Sequence, residues 1–200
     1  LLFLSAGAVI TGLHHHTQNI FDMGGLKKYM PITFMAFMTG ALALSGFPPF
    51  AGYFSKDAIV FSVMDKSTLV ATLILFTSML TAYYITREAF VVFFGTGHYH
   101  EEPHEVGPIM SYPMIILAFL SLMGGFLLWN YFAYMNTKIE SPIAFISHSI
   151  PGIIVAVIGI SISYAFYVKK IIDPNTLYQM FRPIHSLFKS QFYTEYIYHN

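Results

Sequence analysis

Long apolar segments with almost no charge constrain this 200-residue chain more than any other feature. Residues 69–94, 109–132 and 143–168 each form one such segment, and a helix of about 20 apolar residues is long enough to cross a bilayer. Only 10% of the residues are charged, and the mean hydropathy is +0.60. Because a helix satisfies its own backbone hydrogen bonds in lipid, we predict an all-α, polytopic transmembrane helix bundle.

Composition also excludes several kinds of site. The 10 basic residues balance the 10 acidic ones, so the chain has no basic footprint for nucleic acid. It has no cysteine, which excludes disulfides, thiol nucleophiles and cysteine-ligated clusters within this chain. The sequence has no glycine-rich phosphate loop or nucleotide fingerprint. We therefore expect no cofactor and no metal here, and we expect the lipid bilayer to surround the chain.

The first apolar stretch, Leu1 to Leu13, is too short to span a membrane. It has no initiator Met, and no positive charge precedes it as in a signal peptide. We interpret residues 1–16 as the end of a transmembrane helix whose first half is missing. On this interpretation the chain is a fragment.

The segment 31–64 is interrupted at its centre. Pro48 and Pro49 remove backbone donors and end the preceding helix, and Gly52 follows them. We expect the helix to begin again near Ser55, as its N-cap. Non-helical backbone at membrane depth persists only inside protein or beside a water-filled cavity, and such discontinuous helices mark transport sites in many carriers.

Lys56 and Asp57 follow this break and are flanked by apolar residues. Burial in a low dielectric disfavours the charged form of an amine, so a lysine at that depth can gain and lose a proton. These two residues are our candidates for proton transfer. The alternative is that the helix ends at Phe47 and that Lys56 is a solvated or snorkelling charge.

Charge in the loops predicts the orientation. If each segment crosses once, most basic residues fall on one side: Lys27, Lys28, Arg87, Lys169, Lys170, Arg182 and Lys189. The other side has Lys66 and Lys138. Excess Lys and Arg marks the cytoplasmic face. We therefore expect loops 14–30 and 95–108 and the interfacial tail 169–200 on the cytoplasmic or matrix side.

Histidines supply two further candidates. His14 lies nearest the membrane in a run of three and is a possible proton relay, because imidazole titrates near neutral pH. Three adjacent histidines on a helix point in different directions and make a poor metal site. The stretch from His98 to Glu105 is also rich in His and Glu. We interpret it as a solvated, charge-balanced loop.

Several motifs together resemble a known family. They are HHHTQNIFDMGGLKK from His14 to Lys28, the following Met30-Pro31-Ile32-Thr33, and GALALSGFPPFAGYFSKDAI from Gly40 to Ile59. They are similar to the antiporter-like, proton-pumping membrane subunits of NADH–quinone oxidoreductase, respiratory complex I. The resemblance extends to Arg87-Glu88 and to the histidine-rich loop, and the Lys-Asp pair favours the L type of subunit.

The resemblance implies an antiporter-like bundle with inverted repeats and one discontinuous helix in this part of it. Lys56 matches the terminal proton-transfer lysine at the break, and Asp57 matches the acidic residue beside it. The family's other key groups belong before Leu1. The resemblance implies coupling of quinone reduction to proton pumping through the buried lysine, in a bacterial plasma membrane or inner mitochondrial membrane.

The partners implied are the other membrane subunits, especially the sister antiporter-like subunits. NADH, FMN, iron–sulfur clusters and quinone would be used elsewhere in the parent complex. Three alternatives share the same module: an Mrp-type sodium–proton antiporter, a membrane-bound hydrogenase and a dehydrogenase of reduced deazaflavin. A non-transporting structural membrane fragment and a histidine-dependent metal transporter are alternatives from other classes.

Overall fold

The computed structural model describes residues 1–13, 19–20, 22–64, 66–97, 99, 102–127 and 142–171, together with the isolated positions 179, 182, 186, 188, 190 and 192. Side chains of residues 142–148 are outside this description. Six α-helices account for most of it: α1 Leu2–Gly12, α2 Pro31–Ser45, α3 Ala51–Met64, α4 Thr68–Phe94, α5 Pro108–Leu127 and α6 Pro142–Tyr167. The described residues contain no strand, so the all-helical prediction is confirmed.

Three stretches are long and apolar enough to cross a membrane: Thr68–Phe94, Pro108–Leu127 and Ser149–Tyr167. α1 and α2 are shorter apolar helices. Many large apolar side chains of the spans are exposed, such as Leu73 and Phe76 on α4 and Phe119 on α5. Exposed apolar surface of this kind is expected of a bundle that meets lipid.

Local sequence explains where the helices begin. The side chain of Ser67 caps α4 by accepting a hydrogen bond from the Val70 N–H at 3.4 Å. Pro31 is the first residue of α2, where its missing N–H costs nothing.

Helix directions follow from the residues that touch. Phe34 and Phe37, near the start of α2, pack on Phe93 near the end of α4, with ring centroids 5.2 and 5.5 Å apart. α2 and α4 are therefore antiparallel. Arg87 of α4 contacts Tyr167 at the end of α6, so α4 and α6 run parallel.

One end of the bundle gathers several helix termini. The ends of α1, α4 and α6 and the starts of α2 and α5 lie there, together with Leu26–Lys28, a single 3₁₀ turn. We call this the basic end because Lys27, Lys28, Lys169 and Lys170 are located at it. Lys27 lies 5.1 and 5.0 Å from the ring centroids of Phe34 and Phe94, a cation–π contact that ties the turn to α2 and α4.

Candidate functional site

Gly46 ends α2 and begins the interruption between α2 and α3. Its φ of 77° lies in the left-handed region, which glycine adopts without a steric penalty. Its N–H donates to the carbonyl of Ala43 at 3.1 Å, and the Phe47 N–H donates to the carbonyl of Leu42 at 3.1 Å. Residues 46–50 then connect the two helices, so Pro48 and Pro49 lie in the non-helical stretch.

α3 begins at Ala51, four residues before the predicted restart at Ser55. Ser55 is inside the helix, where its hydroxyl donates to the Gly52 carbonyl at 3.2 Å and caps nothing. Gly52 explains the earlier start, because a Cβ at this position would lie 2.8 Å from the carbonyl carbon of Ala43. Only glycine lets the first turn of α3 approach the last turn of α2 so closely. Asp57 consequently lies in the second turn.

A small cavity lies beside the break, where α2, α3, α4 and α6 meet. We call it the Lys56 cavity. Its volume is about 10 Å³, close to the smallest space that holds one water molecule. Its lining comes from all four helices, with Gly152 from α6, and its polar side chains are Ser45, Lys56, Asp57 and Ser78.

The Lys56 side chain runs along the backbone of Gly46, where a Cβ would lie 3.1 Å from the Lys56 Cδ. The Lys56 Nζ is buried, and among the described residues it has no hydrogen-bond partner. The Asp57 Oδ2 is also buried and unpartnered within the same part of the chain. The two groups interact electrostatically, but no hydrogen bond joins these two atoms.

α6 holds the Asp57 carboxylate from the opposite side. Asp57 is 7% exposed, and the hydroxyl of Ser149, itself 1% exposed, forms a hydrogen bond with it. Ser149 also interacts with Tyr53 of α3. A Cβ at Gly152 would lie 3.3 Å from the Asp57 Cγ and would clash with its Oδ1. Sequence analysis missed Ser149 and Gly152, because an isolated serine and glycine in an apolar helix form no recognisable pattern.

The Lys56 cavity lies part way along α4, a helix long and apolar enough to cross a membrane. Ser78, which lines it, is 10 residues after the start of α4 and 16 before its end. At 1.5 Å per residue, the cavity is about 15 Å from the Thr68 end of α4 and about 24 Å from the basic end. A hydrocarbon layer about 30 Å thick and centred on α4 would therefore include the Lys56 cavity.

The histidine-rich loop does more than carry solvated charge. Glu105 accepts hydrogen bonds from the Ile32 N–H at 2.8 Å, the Thr33 N–H at 3.3 Å and the Thr33 hydroxyl at 2.5 Å. It therefore caps α2, whose first residues lie more than 70 positions earlier in the chain. The interpretation of this loop as merely solvated is wrong for Glu105, and nothing local in the sequence signals the cap.

Other predicted candidates fall outside the description. His14 and its two neighbours, and also His98, His100 and Glu101, are not among the described residues. Among the residues that are described, no group of three or more His, Cys, Asp or Glu side chains is arranged to hold a metal ion. Lys56, Asp57, Pro48, Pro49 and Gly52 come together at the break, and their roles stay predictions.

Comparison with known proteins agrees with the resemblance. Residues 1–81 match the transmembrane family of NADH:quinone oxidoreductases and Mrp antiporters. NADH-quinone oxidoreductase subunit L of Neisseria meningitidis is 31% identical over 246 aligned positions, which cover 100% of this chain and 36% of the relative. The Campylobacter jejuni subunit L is 33% identical over 203 positions, covering 98% of this chain and 34% of the relative.

A third relative, subunit L of Mycobacterium tuberculosis, is 40% identical over 133 positions, which cover 64% of this chain and 21% of that protein. The chain spans about a third of the length of the first two relatives. The resemblance predicted from the sequence is thus confirmed. Over residues 1–81 the chain matches the transmembrane family of NADH:quinone oxidoreductases and Mrp antiporters, and along its whole length it is similar to part of the subunit L proteins.

Proposed function

We propose that this chain is part of a proton-translocating membrane subunit of an NADH:quinone oxidoreductase. In this proposal Lys56 accepts a proton inside the membrane and passes it towards the end of the bundle opposite the basic end. Asp57 tunes the charge on Lys56, and quinone reduction elsewhere in the complex drives the cycle.

One observation carries the proposal: the Lys56 Nζ is buried beside a helix break and has no hydrogen-bond partner among the described residues. A charge in such a place is costly, and intramembrane ionisable residues usually mark ion or proton pathways. The cavity beside it has room for about one water molecule, which could carry a proton to or from Nζ. An ordinary snorkelling lysine would instead place its nitrogen in solvent.

The proposed surroundings follow from charge and composition. We place the basic end on the cytoplasmic or matrix side, in agreement with the excess of lysine there. The partners would be other membrane subunits, with the sister antiporter-like subunits foremost. Iron–sulfur clusters would be bound by other subunits, since this chain has no cysteine to ligate one, and we assign NADH, FMN and quinone to other subunits as well.

The test compares two lysines in inverted membrane vesicles that contain the complete complex. Lys56→Met removes the titratable group, and Lys66→Met removes an exposed lysine from the turn between α3 and α4. We expect Lys56→Met to lower the number of protons pumped per NADH oxidised, while Lys66→Met leaves it unchanged. The measurements are fluorescence quenching by a pH-sensitive dye and NADH absorbance in the same sample.

A third variant separates proton transfer from a merely structural charge. Lys56→Arg keeps the positive charge next to Asp57, but the guanidinium does not release its proton. If Lys56 serves only as a counter-charge, Lys56→Arg will pump as the unmodified complex does. Proton transfer predicts a loss close to that of Lys56→Met. NADH-dependent dye reduction and a native gel confirm that each variant complex is assembled.

An Mrp-type sodium–proton antiporter is the second candidate, because the matched family includes both complexes. Native gels of solubilised membranes separate the two. An NADH-oxidising band with flavin and iron–sulfur absorption that contains this chain supports the oxidoreductase. A large band that contains the chain without redox centres supports the antiporter.

A further inference from the structure

α4 and α6 pack along a line that leads from the Lys56 cavity to the basic end. Gly159 allows the closest approach, because a Cβ there would lie 2.9 Å from the Ala82 Cβ and 3.1 Å from the Tyr83 nitrogen. Ala82 is fully buried in this contact. We call this line the seam; its members are Met79, Ala82, Tyr83 and Arg87 of α4 and Gly159, Ser163 and Tyr167 of α6. At Gly159 the two helices touch too closely to admit a side chain larger than hydrogen.

The seam nevertheless contains a polar group that packing does not explain. Ser163 is fully buried, and within the described part of the chain its hydroxyl has no hydrogen-bond partner. It lies four residues after Gly159 and four before Tyr167, so these three residues share one face of α6. An unsatisfied buried hydroxyl costs free energy, which points to a second state in which water reaches it.

A specific contact closes the seam at the basic end. The Arg87 Nε donates to the Tyr167 hydroxyl at 2.8 Å, and the guanidinium carbon lies 5.4 Å from the centroid of the same ring. The ring of Tyr83 lies 6.5 Å from that of Tyr167, and Glu88 interacts electrostatically with Arg87.

We propose that the seam is a closed gate between the basic end and the Lys56 cavity, with the Arg87–Tyr167 contact as its latch. The gate rests on the proposed function, since only proton transfer at Lys56 gives it something to control. From Gly159 to Tyr167 it occupies about 12 Å of α6. While the latch holds, Lys56 exchanges protons with the opposite end alone. When it opens, water reaches Ser163 and connects Lys56 to the basic end.

The absence of cysteine from this chain makes the gate directly testable. Ser163→Cys is introduced into the complete complex in liposomes, and a membrane-impermeant thiol reagent is added at the basic end. Labelling of this chain is followed by mass spectrometry. Gly107→Cys, in the exposed loop at the basic end, shows that the reagent reaches that side. We expect Ser163→Cys to be protected and Gly107→Cys to react at once.

A pair of variants tests the Arg87–Tyr167 contact, one that removes it and one that serves as the matched control. Tyr167→Phe removes the hydroxyl that Arg87 contacts, while Tyr164→Phe makes the same change three residues away, where the ring packs on Phe90. Because hydrogen bonds to charged groups are strong, we expect Tyr167→Phe to speed labelling of Ser163→Cys about tenfold or more. Tyr164→Phe should leave the rate unchanged.

The second measurement of gate opening is the passive proton leak. It is made without NADH, in liposomes that hold the complex without the introduced cysteine. We expect Tyr167→Phe to raise the leak and an added Lys56→Met to abolish the rise. A leak that persists in the double variant supports the gate and contradicts the role of Lys56. Unchanged labelling and leak in Tyr167→Phe, or equal rises in Tyr164→Phe, would overturn the gate and leave the pumping test of Lys56 intact.

Discussion

Glu105→Ala tests whether the cap from a distant loop stabilises the broken helix. Thr33 is fully buried, so its N–H and hydroxyl cannot replace Glu105 with water. Ile32 is 38% exposed, so its N–H can donate to water once the carboxylate is removed. Each buried donor left unsatisfied costs about 1–3 kcal/mol. The Thr33 hydroxyl can turn to a nearby backbone carbonyl, so the Thr33 N–H is left unsatisfied and we expect the free energy of unfolding to fall by about 1–3 kcal/mol.

That loss is measurable as heat sensitivity. At about 2–4 °C per kcal/mol for a chain of this size, the midpoint temperature of unfolding should fall by about 2–12 °C. The complete complex is heated in detergent, and the fraction of this chain that stays in the complex is read from native gels. Glu105→Gln retains one acceptor oxygen, so its midpoint temperature should fall by about half as much as that of Glu105→Ala.

Glu102→Ala is the matched control, because Glu102 is an exposed glutamate in the same loop. A substitution at such a surface position usually changes the free energy of unfolding by no more than about 0.5 kcal/mol. If Glu105→Ala and Glu102→Ala lower the midpoint equally, or neither lowers it, the cap does not stabilise α2 and the reasoning from Thr33 is wrong.

Three glycine variants test the break and its surroundings in the same heating and pumping assays. Gly46→Ala should destabilise the chain by about 1–2 kcal/mol, because alanine resists the positive φ and its Cβ crowds Lys56. Gly152→Ala should lower pumping per NADH, because its Cβ displaces the Asp57 carboxylate, and normal pumping would contradict that contact. Gly107→Ala, with no atom within 4 Å of its Cβ, should change neither result.

Part of the site could be predicted from local sequence. Paired prolines end a helix wherever they occur, so the break around Pro48 and Pro49 needed no tertiary information. The restart was harder to place, since Ser55 resembles an N-cap. The start of α3 depends on Gly52, which lets the helix begin at Ala51 against the end of α2. Such a contact between two helices is not visible in the local sequence.

The amino-acid sequence by itself determined the membrane-helix fold, the interruption of segment 31–64 and the presence of Lys56 and Asp57 beside it, because hydropathy and proline act locally. Only the tertiary structure decided which faces meet: Gly152 and Ser149 on Asp57, Glu105 on α2, and Arg87 on Tyr167. The physical reason is the membrane. A transmembrane helix is apolar towards lipid and towards its neighbours alike, so its sequence carries little periodic signal for the buried side.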